Sequence, residues 1–176
     1  MPAPSISNIL GFDRKLVVGV GGFVVSNDSN AILTTYSLGS CLGITIYDPV
    51  SRTGGLLHTM LPDSSINVEK AVSQPGMFVD TGVPALFRAA YELKAEKHRV
   101  QICVAGGAQF LDQSGYFNIG QRNCEAFRDL LRQHNLIVQA QQVGGLVSRT
   151  LHLHLTTGEV RLRTSGQLEE TILFRG

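Results

Sequence analysis

The spacing of apolar positions predicts strands in the first third of the chain. Runs rich in β-branched residues are typical of strands, and four of them occur there, over residues 15–25, 31–36, 42–47 and 55–61. The first run has a predicted bend at Gly21 and Gly22. The last two runs flank Asp48-Pro49 and Gly54, so we predict that they pair as a β-hairpin.

Helical periodicity replaces this pattern in the middle of the chain. Apolar residues recur every three or four positions in two segments, which predicts helices near residues 82–97 and 120–134. Asp80 and Thr81 suit the N-terminal cap of the first helix, and Pro84 suits its first turn. Further strands are predicted over residues 100–105, 136–143, 151–155 and 159–164, the last two joined as a hairpin through Thr157-Gly158.

The order of these elements predicts the fold class. Antiparallel hairpins at both ends exclude a doubly wound parallel sheet, and indicate an α+β or layered α/β architecture in which two helices cover a sheet. A length of 176 residues fits one domain. Residues 1–14 are polar and contain two prolines, so we expect a flexible N-terminal lead-in before a domain over residues 15–176.

Composition narrows the classes of function. With 15 basic and 14 acidic residues, the chain lacks the strongly basic face that nucleic-acid binding requires. Its most apolar stretch, residues 16–25, is about half as long as a membrane helix, and no signal peptide precedes it. The three cysteines form no CxxC pair, which argues against disulfides and zinc. We therefore expect a cytoplasmic protein without membrane insertion.

Cys41 is the first candidate for chemistry. It lies in a turn of small residues between two apolar runs, where a substrate can approach the sulfur and backbone N–H groups can face a developing oxyanion. The alternative is a buried structural cysteine, the commoner fate of a free thiol. Cys103, in a predicted strand, and Cys124, on a predicted helix face with Phe127, are interpreted as packing residues.

His58 is the candidate base for Cys41. The hairpin can close with Cys41 opposite Met60, which places His58 on the same face as its diagonal neighbour, or opposite Leu61, which separates them. A catalytic thiol needs a base, and a nearby imidazolium lowers its pKa. The imidazole in turn needs an orienting partner on its other nitrogen, which either Thr34 or Thr35 can supply. The alternative is a core histidine.

The remaining polar motifs are weaker signals. His152-x-His154 places two imidazoles on one strand face, but no neighbouring carboxylate or cysteine completes a metal site, so we interpret it as a solvated face. Gly106-Gly107-Ala108 follows a buried strand and either lines a site or makes a tight turn. Polar residues at 118–123 either cap the second helix or support the cysteine loop. No metal or organic cofactor is indicated.

Taken in order, these motifs resemble the CheD family of chemoreceptor glutamine deamidases from about Val17 to about Arg163. The motifs are Leu38-Gly39-Ser40-Cys41 before a strand that ends in Asp48-Pro49, Gly54-Gly55-Leu56-Leu57-His58-Thr59-Met60-Leu61-Pro62, Gly106-Gly107-Ala108, Asn118-Ile119-Gly120-x-Arg122-Asn123 and Gly144-Gly145. The spacing of 17 residues between cysteine and histidine adds to the resemblance.

The resemblance implies a layered α/β/β fold and a catalytic set of Cys41, His58 and Thr35. It implies that selected glutamines of methyl-accepting chemotaxis receptors are converted to glutamate, and it adds the phosphatase CheC, which some members of the family bind, as a candidate partner. Phe110-Leu111 stands where the family often has methionine-phenylalanine, in the region that the resemblance links to that partner. Two alternatives remain open: a noncatalytic chemotaxis module that binds receptor or CheC, and a cysteine amidase that acts on other proteins.

Overall fold

Two five-stranded sheets form the framework of the protein in a computed structural model that describes residues 13–109 and 118–176. The strands are β1 Arg14–Val17, β2 Phe23–Ser26, β3 Ala31–Leu38, β4 Leu42–Asp48, β5 Thr53–Thr59, β6 Gln101–Gly106, β7 Ala140–Val143, β8 Arg149–His154, β9 Glu159–Thr164 and β10 Thr171–Phe174. The α-helices within this part of the chain are α1 Val68–Ser73, α2 Val79–Glu92 and α3 Ile119–Gln133. Short 3-10 helices span Ser64–Ile66, Pro75–Met77 and Lys97–Arg99.

The central sheet has the strand order β2-β5-β4-β6-β7, and the outer sheet has the order β1-β3-β8-β9-β10. Neighbouring strands are antiparallel except for the pairs β1–β3 and β6–β7, which are parallel. The first four strands of the chain thus alternate between the sheets, because β1 and β3 belong to the outer sheet and β2 and β4 to the central sheet. The single-domain α+β class predicted from the element order is confirmed.

Two hydrophobic cores hold three layers together. Ile44 and Ile46 of β4 pack with Leu86 of α2 and Phe127 of α3, so both long helices cover one face of the central sheet. The alternate side chains of β4 point towards the outer sheet, where Tyr47 packs with residues such as Leu153. The layers therefore run helices, central sheet, outer sheet.

Gly43 shows why the two sheets come so close beside the cysteine. A Cβ atom at Gly43 would lie 2.6 Å from a methyl group of Leu38 and 3.1 Å from one of Leu151, both in the outer sheet. Gly43 is paired directly with His58 across the hairpin. The absent side chain thus lets the outer sheet approach β4 next to His58, the residue of β5 that pairs with Gly43.

Several predicted boundaries are wrong. Residues 15–25 form two strands in different sheets, since the chain turns at Gly21, where φ is +72°, and crosses between layers. Helix α2 begins at Val79 with Phe78 as N-cap and no side-chain cap bond, so Asp80 and Pro84 lie inside it. The strand predicted over residues 136–143 is confined to Ala140–Val143.

The first strand begins close to the predicted start of the domain, and the domain contains two elements that were not predicted. Strand β1 begins at Arg14, one residue before the expected boundary of the domain, and residues 1–12 lie outside the described range. Helix α1 and strand β10 were not predicted. None of the helices in the described part of the chain has the length and apolar character needed to cross a membrane.

Candidate active site

The β4–β5 hairpin places Cys41 and His58 on the same face of the central sheet. Leu42 pairs with Thr59 and Gly43 pairs with His58, a register that, extended by one residue beyond the end of the ladder, puts Cys41 opposite Met60. Cys41 and His58 are therefore diagonal neighbours on the face turned towards the outer sheet. Of the two registers left open by the sequence, the structure has the one that brings these residues together. Cys41 is half-buried, and His58 is 2% exposed.

Thr35 fixes the tautomer of His58. The Thr35 hydroxyl donates to the carbonyl of Val18 at 2.8 Å, and its oxygen lies 2.7 Å from His58 Nδ1. Because the single hydroxyl proton is committed to Val18, we assign the proton of this second bond to Nδ1, which donates to Thr35. His58 Nε2 then carries the lone pair, and this buried atom has no hydrogen-bond partner among the described residues.

The crossover between β1 and β2 holds His58 from the other side. Gly21 N–H donates to the His58 carbonyl at 2.7 Å, and His58 N–H donates to Gly22 at 3.0 Å. Val18, which accepts the Thr35 proton, belongs to the same segment and donates its own N–H to Thr34 at 2.8 Å. The glycine bend that looked like a kink in one strand is thus the connection that positions the imidazole.

The loop that carries Cys41 is tied down through its carbonyl groups. Gly39 accepts from Ala108 N–H at 2.8 Å, Cys41 accepts from Gly107 N–H at 2.9 Å, and Ser40 accepts from the Asn123 amide at 3.0 Å. In the described part of the chain, the N–H groups of Ser40 and Cys41 donate to no other residue. The Cys41 N–H lies beside its own sulfur, where it favours the thiolate.

Gly106-Gly107 makes this anchoring possible by close approach. A Cβ atom at Gly106 would lie 2.1 Å from the Cys41 carbonyl oxygen, and one at Gly107 would lie 2.5 Å from Cys124 Sγ. Both glycines have positive φ, +114° and +65°. Gly120 of α3 packs on the same turn, with 2.4 Å between a Cβ built there and the Gly107 oxygen. The turn therefore both shapes and supports the cysteine loop.

Burial disfavours the charged forms of both Cys41 and His58. It raises the pKa of Cys41, an effect only partly offset by the Cys41 N–H, and lowers the pKa of His58 to about 4. Desolvation opposes both charges in this environment, and the effect of an imidazolium at His58 on the thiol pKa stays a prediction. A neutral thiol beside a neutral imidazole can still react when the proton moves as the sulfur attacks.

The second histidine motif has a different environment from the one expected. Thr34 Oγ1 lies 2.8 Å from His152 Nδ1, and His152 Nε2 lies 3.2 Å from Glu170. His152 is 7% exposed, so the interpretation of a solvated face is wrong for this residue: the segment that leads into β10 places the Glu170 carboxylate beside its imidazole. The described residues contain no group of three or more metal-ligating side chains.

The adjacent threonines therefore serve different histidines. Thr35 contacts His58 and Thr34 contacts His152, as expected for neighbours that face opposite sides of a strand. Cys103 is buried at 1% exposure, and Cys124 of α3 is partly buried and packs against the core, as predicted for both. Phe110-Leu111 lies outside the described residues.

Two contributors to the site carry little signal in the sequence. Val18 acts through its carbonyl, which any residue has, so no pattern could identify it. Asn123 belongs to the polar segment for which capping and loop support were both open, and the structure gives it the second role. Its helical spacing from Phe127 and Leu131, both buried, was the available signal that it faces inward.

The fold and site define a layered α+β protein with a cysteine, a histidine of fixed tautomer and a threonine at one sheet end. The family model for CheD, described as chemotactic sensory transduction, matches residues 60–164, more than half of the chain. A Syntrophus aciditrophicus protein named "Probable chemoreceptor glutamine deamidase CheD 1" is 46% identical over 86% of this chain and 94% of its own length. This chain belongs to the CheD family.

Relatives from distant organisms carry the same name. An Anaeromyxobacter dehalogenans protein, "Probable chemoreceptor glutamine deamidase CheD 2", is 40% identical over 87% of this chain and 96% of its own. A Pyrococcus horikoshii protein named "Probable chemoreceptor glutamine deamidase CheD" is 37% identical over 90% of this chain and 99% of its own. Because these matches cover so much of this chain, the unmatched residues at its ends are too few to include Thr35, Cys41 or His58.

Proposed function

We propose that this protein is a glutamine deamidase of bacterial chemotaxis, which converts selected glutamine side chains of methyl-accepting chemoreceptors to glutamate. The observation that carries the proposal is the His58 imidazole, whose Nδ1 is held by Thr35 and whose Nε2 is free, on the same sheet face as Cys41. Membership of the CheD family, whose relatives are named "Probable chemoreceptor glutamine deamidase", supports this substrate class.

Acylation begins with a proton transfer from the Cys41 thiol to His58 Nε2. The sulfur attacks the carboxamide carbon of the glutamine side chain, forming a C–S bond and a tetrahedral oxyanion that faces the N–H groups around residues 40–42. His58 returns the proton to the amide nitrogen as the C–N bond breaks. Ammonia leaves, and the glutamyl group remains as a thioester on Cys41.

Deacylation repeats the sequence with water as nucleophile. His58 takes a proton from water, the hydroxyl oxygen attacks the thioester carbon, and the C–S bond breaks as the thiolate regains its proton. The products are a glutamate side chain and the free enzyme. The proposed steps use Cys41, His58, backbone N–H groups and water, and they call for no metal or organic cofactor. The same steps would cleave a glutamyl methyl ester, with methanol as leaving group.

The test is mass spectrometry of a receptor cytoplasmic fragment incubated with the protein. Each glutamine converted adds roughly one dalton, because NH₂ is replaced by OH. We expect turnover by the wild type and none by Cys41→Ser, since an alcohol is far less ionised than a thiol. The matched control is Cys103→Ala, which removes a buried thiol from β6 and is expected to cost stability while leaving turnover intact.

The outcomes separate the alternatives. Turnover that survives in Cys41→Ser would remove Cys41 from the mechanism. Binding of receptor without turnover by the wild type would favour the noncatalytic module, with CheC as a further partner to be tested by co-purification. Turnover of glutamines in unrelated proteins at the same rate would favour a general cysteine amidase. The assay thus assigns the substrate class and the nucleophile independently.

A further inference from the structure

Asn123 joins the two segments that carry the candidate nucleophile and base. Its side-chain nitrogen donates to the Ser40 carbonyl at 3.0 Å and to the Met60 carbonyl at 2.9 Å. Ser40 precedes Cys41, and Met60 lies two residues beyond His58. The last pair of the β4–β5 ladder is Leu42 with Thr59, so the Asn123 amide links the two segments just beyond the end of the ladder.

The orientation of the Asn123 amide is fixed by its neighbours. Both partners are carbonyl oxygens, which only accept, so the nitrogen and not the oxygen must face them. The side chain is fully buried, and its Oδ1 has no hydrogen-bond partner among the described residues. An unsatisfied buried acceptor costs about 1–3 kcal/mol. The two hydrogen bonds made by the nitrogen therefore decide the orientation of the amide, despite the cost of the unpaired oxygen.

The bond to Ser40 determines where the Cys41 N–H points. The described part of the chain contains no cis peptide bond, and the C=O and N–H of a planar trans peptide point in opposite directions. Since Asn123 holds the Ser40 carbonyl towards α3, the Cys41 N–H of the same peptide points away from α3. That N–H donates to no other described residue. It is available to an oxyanion that forms on a carbon attached to Cys41 Sγ.

We propose that Asn123 is a positioning residue for the oxyanion donor: it orients the Ser40–Cys41 peptide so that the Cys41 N–H stabilises the tetrahedral intermediate. The Gly107 and Ala108 N–H groups hold the two flanking carbonyls of the loop in the same way. The bond from Asn123 to Met60 keeps this peptide in register with the strand that carries His58. This inference rests on the proposed deamidase function and adds a residue to it.

The experiment compares two reactions of Cys41 in Asn123→Ala. Deamidation of the receptor fragment passes through an oxyanion, whereas alkylation by iodoacetamide is a displacement at carbon and forms none. We expect kcat for deamidation to fall roughly 10- to 100-fold, less than the loss for complete removal of an oxyanion donor, with KM changed by less than about threefold. The alkylation rate of Cys41 should stay within about threefold of the wild type, because the thiol and His58 remain in place.

Two further variants keep the test sharp. Asn123→Asp keeps the size of the side chain but presents oxygen to two carbonyls, so it should lose at least as much kcat as the alanine variant. Gln121→Ala, an exposed change on the same helix, loses only exposed bonds with Glu125 at 2.8 Å and Gln109 at 3.5 Å and should leave kcat unchanged. Melting temperatures identify a variant that fails to fold, and kcat is then compared for the variant that does fold.

Each outcome has one meaning. Unchanged kcat in Asn123→Ala would overturn the inference while leaving the proposed function intact. A parallel fall in deamidation and alkylation would also overturn it, because Asn123 would then hold the whole loop and not the oxyanion donor. Absence of deamidation by the wild type would instead remove the proposed function, a result that is visible before any variant is measured.

Discussion

At the scale of single residues, Thr35 determines what His58 can do. A neutral imidazole accepts a proton only through the nitrogen that carries its lone pair, and the bond to Thr35 assigns that role to Nε2. Without it, the ring would be free to adopt the other tautomer or to rotate. Because the hydroxyl is uncharged, it orients the ring without adding a negative charge that would raise its pKa.

We therefore predict that Thr35→Val lowers kcat for deamidation roughly 10- to 100-fold, since general acid–base catalysis contributes about 10²- to 10⁴-fold and orientation is part of it. His58→Asn should lose more, because it removes base and acid together. Thr35→Ser keeps the hydroxyl and is the matched control that should retain most of the activity. Steady-state kinetics of the three variants are the measurement. A larger loss in Thr35→Val than in His58→Asn would reverse the assigned roles.

The neighbouring Thr34 is a control of a different kind. It faces the opposite side of β3 and contacts His152, so Thr34→Val should leave kcat unchanged. The sequence offered two adjacent threonines and no means of choosing between them by pattern alone. The choice depends on which face of β3 meets the central sheet, and that is set by pairing between strands far apart in the chain.

At the scale of elements, the predictable parts of the fold are those with local patterns. The β4–β5 hairpin, the two long helices and the β8–β9 hairpin follow from periodicity and turn residues. The crossover at residues 18–22 does not follow from a local pattern. Its glycines allow a turn that takes the chain from the outer to the central sheet, and the need for that turn depends on which strands β1 and β2 pair with. Strand β10 was missed since its few residues gain their stability from pairing with β9 and not from their own pattern.

The same distinction applies to the site. Cys41 and His58 stand out because a cysteine in a small-residue turn and a histidine in an apolar strand are unusual. The contributions of Val18 and Gly107 are made by backbone groups, and that of Asn123 depends on the direction of one helix face. The sequence therefore identifies the candidate nucleophile and base more readily than the groups that hold them in place.

The turn at Gly106 provides a test at this scale. Gly106→Ala would place a Cβ atom 2.1 Å from the Cys41 carbonyl oxygen at a φ of +114°, so the loop or the turn must move. We predict a loss of stability of about 2 kcal/mol or more, together with loss of deamidation. Gly144→Ala is the matched control, because its φ is also positive, at +78°, but nothing lies within 4 Å of a Cβ there.

Urea unfolding and the receptor assay measure the two effects separately. Gly144→Ala should lose about 1 kcal/mol from the left-handed backbone alone and should keep its activity. If the two variants lost the same stability and both stayed active, close packing of the turn on the cysteine loop would not be needed for function. The structure leads us to expect that only the crowded position affects chemistry.

At the scale of the whole molecule, burying the site couples chemistry to stability. His58 lies between the two sheets, where desolvation lowers its pKa. His152 and His154 on the outer sheet also have lowered pKa values, again chiefly from burial. A protein that buries several neutral imidazoles must lose stability when the solution becomes acidic enough to protonate them in the unfolded chain.

The sign and size of this effect can be predicted for His58. Its pKa is about 4 in the folded protein and about 6.5 in an unfolded chain, so the unfolded state binds more protons between these values. Stability from the neutral imidazole is thus complete above about pH 6.5 and is lost as the pH falls towards 4.

Between about pH 7 and about pH 5, the wild type should lose about 2 kcal/mol more unfolding free energy than His58→Asn. Urea denaturation of both proteins at the two pH values gives the difference, and the histidines on the outer sheet cancel because both proteins contain them. Equal losses would mean that folded His58 takes up a proton as readily as the unfolded chain, and the neutral resting pair with Cys41 would then be wrong.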